Sequence, residues 1–355
     1  MAALRGAFPD ARIRVLVPKS CELAVLIKQF ADEVSVAPLW VIRRRYLRRL
    51  FTRDVFTLPH ALARAYASFR NSDLVYINTI TAIDYLVVAA LFRRKAVLHV
   101  HEAPTGIVGW TLGTLIRGIR VPTIFNSKAT RDAFSLPTAV PCYVLYNGIR
   151  APEAVELSSY NGVRPLRLLM LGRLNRAKGQ DLLIDACGRL SQPLLRRLEV
   201  RIVGSSFDAQ LELEEDLYRR ARQLPCPNVI RFEPFVADPS ALLQWCDVAV
   251  VPSRIPEGFG RVPVEAMAFG RPSIVAAHGG LTEIVIDGVN GWHFTPNDPD
   301  ALATQIARAI TSPESIRAFG QAGRARYHSL FSATLVNRQF RWIMHQRAAS
   351  IGKVA

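Results

Sequence analysis

Cysteine is scarce in this chain, and the few present do not form a pattern. Five thiols in 355 residues, Cys21, Cys142, Cys187, Cys226 and Cys246, are odd in number, scattered and without a Cys-x-x-Cys pair. That argues against a disulfide framework or a structural zinc site and fits a reducing compartment. Long apolar runs are missing too. The longest, Tyr85 to Phe92, falls well short of the roughly 20 residues a membrane span requires, and Gly109 to Ile116 is similarly short. The first twenty residues carry no apolar core of a signal peptide. The expectation is a soluble, cytoplasmic protein. Acidic residues are outnumbered, 29 against 45 Lys and Arg, for a formal net charge of +16.

The positive excess is unevenly placed. Residues 1–150 hold 21 Lys and Arg against 9 Asp and Glu, a balance of +12; residues 151–355 hold 24 against 20, a balance of +4. The stretch Trp40-Val-Ile-Arg-Arg-Arg-Tyr-Leu-Arg-Arg-Leu-Phe-Thr-Arg53 sets six arginines among apolar residues. Ile42, Tyr46, Leu47 and Leu50 fall on one helical face, which reads as a basic amphipathic helix. Two readings stay open: a surface helix with its apolar face in the core, or peripheral docking to an anionic membrane or a lipid-linked phosphate acceptor. Nucleic acid is set aside, because no nucleic-acid-binding module accompanies the segment.

Half of the residues are hydrophobic, so the chain folds, and its length calls for two domains. Short apolar runs at residues 12–17, 73–77, 96–100, 122–125 and 142–145 alternate with helical stretches at 22–30 and 82–92. That alternation predicts parallel βαβ units and a doubly wound sheet. A polar stretch from Arg150 to Arg164 reads as a linker. Strands at 166–171, 198–203, 229–232, 248–251 and 273–276 then repeat the pattern, with helices at 180–190 and 301–310. The expected division is one Rossmann-like domain over 1–150, a second over 151–330 and a C-terminal helix over 331–355. Two such domains facing one another would enclose a cleft at the carboxyl ends of their strands.

The most specific segment is Glu257-Gly-Phe-Gly-Arg-Val-Pro-Val-Glu265, followed by Ala266-Met-Ala-Phe-Gly270, directly after the apolar run at 247–252. Pro263 suits the first turn of a helix and Gly270 its C-terminal cap. A strand, a glycine-containing loop and a helix start present backbone N–H groups and the positive end of a helix dipole to an anion. Glu257 and Glu265, one in the loop and one in the first turn, add carboxylates that accept hydrogen bonds from sugar or ribose hydroxyls. Gly172-Arg-Leu-Asn-Arg-Ala-Lys-Gly179 follows the first strand of the second domain. It can offer Arg173 and Lys178 to a diphosphate and neutralise charge developing on it, as a metal does elsewhere.

These two segments resemble the retaining glycosyltransferases of the GT-B type, and more narrowly the group known as family 4. The resemblance covers residues 165–330 well and 95–150 more loosely. It implies that Arg173 and Lys178 hold the donor diphosphate, with the backbone of Gly258, Phe259 and Gly260 lining the sugar and phosphate site. It further implies that Glu257 contacts donor-sugar hydroxyls and that Glu265 binds the nucleotide ribose. Phe235 and Val236 fall where the family often contacts the base, and Gly279-Gly280 shapes the loop behind the site. Asp298-Pro-Asp300 spells a metal motif of a different glycosyltransferase fold, but it precedes a helical run, so Asp300 reads as an N-cap and Pro299 as a turn residue. No metal or other cofactor is expected.

In the first domain, His99-Val-His101-Glu102 ends a strand. Imidazole can bond hydroxyls or phosphate and steady transient positive charge; the resemblance places His101 near the transferred sugar and Asn126-Ser127-Lys128 at the border of the site. The chain departs from many relatives in its first loop, where Pro18-Lys19-Ser20-Cys21 replaces a glycine pair. Side chains keep that backbone at a distance, and Lys19 is the candidate replacement for the missing amides. The expectation is a hexosyltransferase that moves a sugar from a nucleotide diphosphate sugar, with retained configuration, to a glycan or lipid-linked glycan of bacterial lipopolysaccharide or capsule synthesis. Two alternatives stand beside it: a catalytically silent nucleotide-sugar-binding subunit of a glycosyltransferase complex, and a nucleotide-sugar epimerase.

Overall fold

The computed structural model describes residues 1–18, 26–41, 54–104, 106–206 and 211–350. Lys19 and the arginine-rich residues 42–53 therefore lie outside the described residues, as does the start of the helix expected at 22–30. The chain divides into two compact units, Met1–Tyr146 with Thr334–Ala355, and Asn147–Ala333. The division sorts charge more sharply than the midpoint of the sequence does. The first unit holds 24 Lys and Arg against 9 Asp and Glu, a balance of +15; the second holds 21 against 20, a balance of +1.

In the first unit, β1 (Arg14–Val17) pairs with β2 (Glu33–Val36), and β3 (Val75–Ile77), β4 (Ala96–Val100), β5 (Thr123–Phe125) and β6 (Cys142–Val144) form a parallel sheet in that order. The expected single sheet is thus two: β1 takes β2 as its partner, a four-residue strand too short and too exposed to stand out in the sequence. Every residue of β4 is buried, as a central parallel strand covered on both faces demands. One face carries Leu98 and Val100 into a cluster with Phe69, Leu86, Leu112 and Ile116. On the other face Val97 and Ile124 meet Val336, Phe340, Ile343 and Met344 of the C-terminal helix Ala333–Ala349. Those four helical positions fall on one stripe of period 3.6.

In the second unit β7 (Leu166–Leu171), β8 (Leu198–Val203), β9 (Ile230–Glu233), β10 (Val248–Val251), β11 (Ser273–Ala276) and β12 (Gly291–Phe294) form one parallel sheet ordered β12-β11-β10-β7-β8-β9. The chain moves outward from β7 to β9, then returns to build the other half from β10. The chain therefore leaves the adjacent strands β7 and β10 toward opposite edges of the sheet, and the loops after them lie where doubly wound sheets bind ligands. β12 escapes the sequence reading because it begins on glycine and is only four residues long. Its Trp292 is fully buried and packs on Phe319 at 4.9 Å.

The stretch expected to be a linker is packed into the second unit. Tyr160 is buried and its hydroxyl donates to Ile310 O at 2.8 Å. Arg164 grips buried Asp247 with both Nη atoms, at 2.7 and 2.8 Å, and Ser158 donates to the same carboxylate. Polar composition suggested a linker, but its polar groups are committed to buried partners, the Asp247 carboxylate and the Ile310 carbonyl.

Candidate functional site

The loops after β7 and β10 are pressed together. Gly179 has φ +78°, and a Cβ there would stand 2.1 Å from Pro252 O, so only glycine lets the first loop close against the second. Arg254 N–H donates to Ala177 O at 2.9 Å, and the Arg254 guanidinium bonds Asp181 at 2.8 Å and Asn297 at 3.0 Å. The closure brings Lys178 Nζ to 2.7 Å from Glu257 Oε1. Ser253 donates its hydroxyl to the same carboxylate oxygen, and His278 donates Nε2–H to Ser253 O at 2.8 Å. The Glu257 carbonyl accepts from Gly280 N–H at 2.8 Å. Two of the sequence-predicted residues, Lys178 and Glu257, are thereby in direct contact.

Arg173 is exposed on the same loop as Lys178, and its carbonyl accepts from the buried side chain of Gln180 at 2.8 Å. Gly260 is the N-cap of helix Arg261–Ala268, so Gly258, Phe259 and Gly260 lead into its N-terminus. The Phe259 side chain is buried and meets Phe331 edge-on at 6.0 Å, which leaves only its backbone for a ligand. Glu265 lies in the second turn of the helix and not the first, because the helix begins at Arg261, two residues before Pro263. Its Oε1 accepts from Arg261 Nη2 at 2.9 Å. The helix ends in a Schellman cap, with Gly270 N–H on Met267 O and Arg271 N–H on Ala266 O, both at 2.9 Å, and Gly270 at φ +64°.

Phe235 and Val236 follow β9, and Phe235 is 69% exposed. Ser205, after β8, ties this corner to the β7 loop: its hydroxyl accepts from Phe235 N–H at 3.1 Å and its carbonyl from Leu174 N–H at 3.2 Å. Sequence reasoning missed Ser253, His278, Ser205 and Arg254. Single polar residues at strand ends carry no spacing signal, and only the position of His278 before Gly279-Gly280 hinted at it. Asp298, not Asp300, caps helix Pro299–Thr311, accepting from the N–H groups of Asp300 and Ala301 at 2.9 Å. Asp300 instead pairs with Arg189 at 2.8 Å. Both carboxylates of the Asp-x-Asp string are thus in structural contacts. Among the described residues no three His, Cys, Asp or Glu side chains come together to hold a metal ion.

In the first unit, His101 follows β4 half-buried. Its Nε2 lies 2.9 Å from Asn78 Oδ1, its N–H donates to Glu102 Oε2 at 3.1 Å, and its ring packs on that of His99 at 4.1 Å. Burial pushes the His101 imidazole below its ordinary range, against the pull of Glu102. Burial, with His101 second, pushes His99 down to about 3. Asn126 donates to His101 O at 3.3 Å, whereas Ser127 caps helix Lys128–Asp132. Among the described residues no helix is long and apolar enough to cross a membrane.

Residues 161–326 match the family model described as Glycosyl transferases group 1. The D-inositol 3-phosphate glycosyltransferase 2 of Catenulispora acidiphila is 37% identical over 160 residues, covering 43% of this chain and 37% of that protein. The match therefore spans well under half of the relative's length. Among solved structures, Anabaena HepE in complex with UDP superposes with a TM-score of 0.81 at 24% identity, over 97% of this chain and 94% of that one. A further HepE structure holds UDP-glucose, with a TM-score of 0.79 at 23% identity over 97% and 94%. Sucrose-phosphate synthase of Thermosynechococcus elongatus gives a TM-score of 0.73 at 21% identity over 98% and 91%.

Proposed function

Because residues 161–326 are a glycosyl transferases group 1 domain in a chain of GT-B fold, we propose that this protein is a glycosyltransferase using a nucleotide diphosphate sugar. The observation that carries the reading is the contact of Lys178 with Glu257 where the loops of β7 and β10 meet. A cation and a carboxylate held together at a switch point suit a ligand with a diphosphate beside a polyhydroxylated ring. Arg173 and Lys178 take the diphosphate together with the backbone N–H groups leading into helix Arg261–Ala268. Glu257 takes sugar hydroxyls, Glu265 the ribose and the Phe235–Val236 corner the base. His101 serves the transferred sugar.

The chemistry is front-face transfer with retained configuration. Arg173 and Lys178 stabilise charge as it develops on the leaving diphosphate, in the place a metal occupies elsewhere, and the departing phosphate accepts the proton of the incoming hydroxyl. The transferred group is a hexose. A first unit with a balance of +15 suits an anionic or lipid-linked acceptor, as in surface polysaccharide assembly, and peripheral contact with an anionic membrane. An inositol phosphate acceptor is the second reading, supported by the curated relative; its phosphate would meet the same positive field.

The testing experiment is thermal unfolding with UDP, GDP, ADP, dTDP and CMP, beside the Arg173→Ala, Lys178→Ala double variant. A ligand that binds only the folded state at 100 times its Kd adds about 2.7 kcal/mol. Stabilisation by one diphosphate, lost in the variant, supports the donor site and names its base. Stabilisation by none rejects it.

A further inference from the structure

His99 of β4 and His101, the first residue beyond it, face the same side, their rings packed at 4.1 Å. It is the side on which Val97 meets the C-terminal helix. Tyr76 of β3 belongs to that face as well, opposite Val97 in the register. Its hydroxyl makes a short hydrogen bond to His99 Nδ1, and its ring receives Phe340 of the C-terminal helix edge-on at 5.8 Å and 88°. The His99 ring lies against that of His101 at 4.1 Å and 37°, and Asn78 Oδ1 holds His101 Nε2 at 2.9 Å. A continuous row therefore runs from Phe340 through Tyr76 and His99 to His101.

We propose that Tyr76 and His99 are positioning residues that fix the ring plane of His101, whose tautomer Asn78 sets. This rests on the reading that His101 serves the transferred sugar. Asn78 Oδ1 can only accept, so His101 carries its proton on Nε2 and keeps the Nδ1 lone pair for a ligand. His99 covers one face of that ring and helps keep water from it. His99 is itself 7% exposed and cannot swing, because Tyr76 holds its Nδ1 and Phe340 backs Tyr76. Burial keeps the Tyr76 hydroxyl protonated, so the anchor does not titrate. The titratable groups facing His101 are His99, neutral down to about 3, and Glu102, whose charge favours protonation; Asn78 and Asn126 are neutral.

The test uses the full chain without ligand, labelled with ring-15N histidine, and follows the His101 signals with pH. His101→Gln assigns them. The wild type should show the Nε2–H tautomer and a midpoint below about 6.5, the ordinary value. His99→Ala opens one face of the ring, so the midpoint should rise toward that value. His99→Phe restores a ring and should return the midpoint most of the way. Tyr76→Phe keeps ring volume and removes only the hydroxyl that anchors His99, so the midpoint should rise part of the way while the tautomer, held by Asn78, stays. An unchanged midpoint in folded Tyr76→Phe and His99→Ala would overturn the proposal. The function of His101 is read separately: full transfer from UDP-glucose by His101→Gln, with the His99→Ala shift present, would reject that function and leave the positioning intact.

Discussion

Lys178 and Glu257 hold each other at 2.7 Å from loops that leave neighbouring strands of one sheet. Each is a proposed ligand group, so the pair occupies its own binding site. A diphosphate must replace the carboxylate on Lys178 before Glu257 can turn to a sugar.

Glu257→Gln removes that competitor. A part-exposed pair is worth up to about 1 kcal/mol, so affinity for the bare nucleoside diphosphate should rise about fivefold. Transfer should fall by about 100-fold, as when other positioned polar groups are lost. Calorimetry beside a turnover assay checks both. A drop in diphosphate affinity would show that the pair does not compete with the ligand.

Lys178→Ala deletes a charge-assisted bond of about 2 kcal/mol. Diphosphate affinity should weaken about 30-fold, with the melting temperature nearly unchanged, since the partner carboxylate keeps Ser253.

Gly179→Ala puts a methyl group on a left-handed residue 2.1 Å from Pro252 O. The two loops must part, at a cost of about 2 kcal/mol or more. Denaturant unfolding and nucleotide binding should both suffer. An unchanged binding constant would mean that loop closure is not required for the site.

His99 should make stability fall in mild acid. Its folded value is depressed to about 3, so between there and about 6.5 the unfolded chain binds a proton that the folded chain does not. The contribution is full above about 6.5 and is lost as pH falls, at up to about 1.4 kcal/mol per unit. His99→Phe should flatten the pH dependence of unfolding between pH 7 and pH 5 by about 2 kcal/mol at most.

Asp298→Ala should cost about 1 kcal/mol, the usual value of an N-cap, and leave transfer intact with or without a chelator. Loss of transfer out of proportion to stability would restore a ligand role to the Asp-x-Asp string.

Much of this was legible in advance because buried parallel strands are nearly continuous apolar runs. Leu166–Leu171, Leu198–Val203, Val248–Val251 and Ser273–Ala276 stand where their composition puts them. The family of residues 161–326 and the GT-B fold were read correctly from the Glu257 and Arg173 segments. β2 and β12 were not readable, β2 because it is mostly exposed and carries no apolar run, β12 because it opens on glycine and is interrupted by His293. The bonds of Ser158, Tyr160 and Arg164 were hidden for a related reason: polar composition does not reveal which polar groups find buried partners. The Asp298 cap was displaced by two residues because Pro299 can begin a helix as readily as a turn.

On the proposed reading, a nucleotide-sugar donor carries two negative charges into a unit whose own balance is only +1. With so small an overall surplus, its binding depends on a handful of short contacts to Arg173, Lys178 and backbone N–H groups, so its salt dependence should be shallow beside that of the first unit. The first unit behaves oppositely. Its surplus of fifteen positive charges acts over a distance of about 10 Å at 0.1 M salt. Whatever anionic molecule it attracts should be gained and lost steeply with ionic strength. One chain thus joins a contact-driven half to a field-driven half, and a salt titration should separate the two by the steepness of their responses.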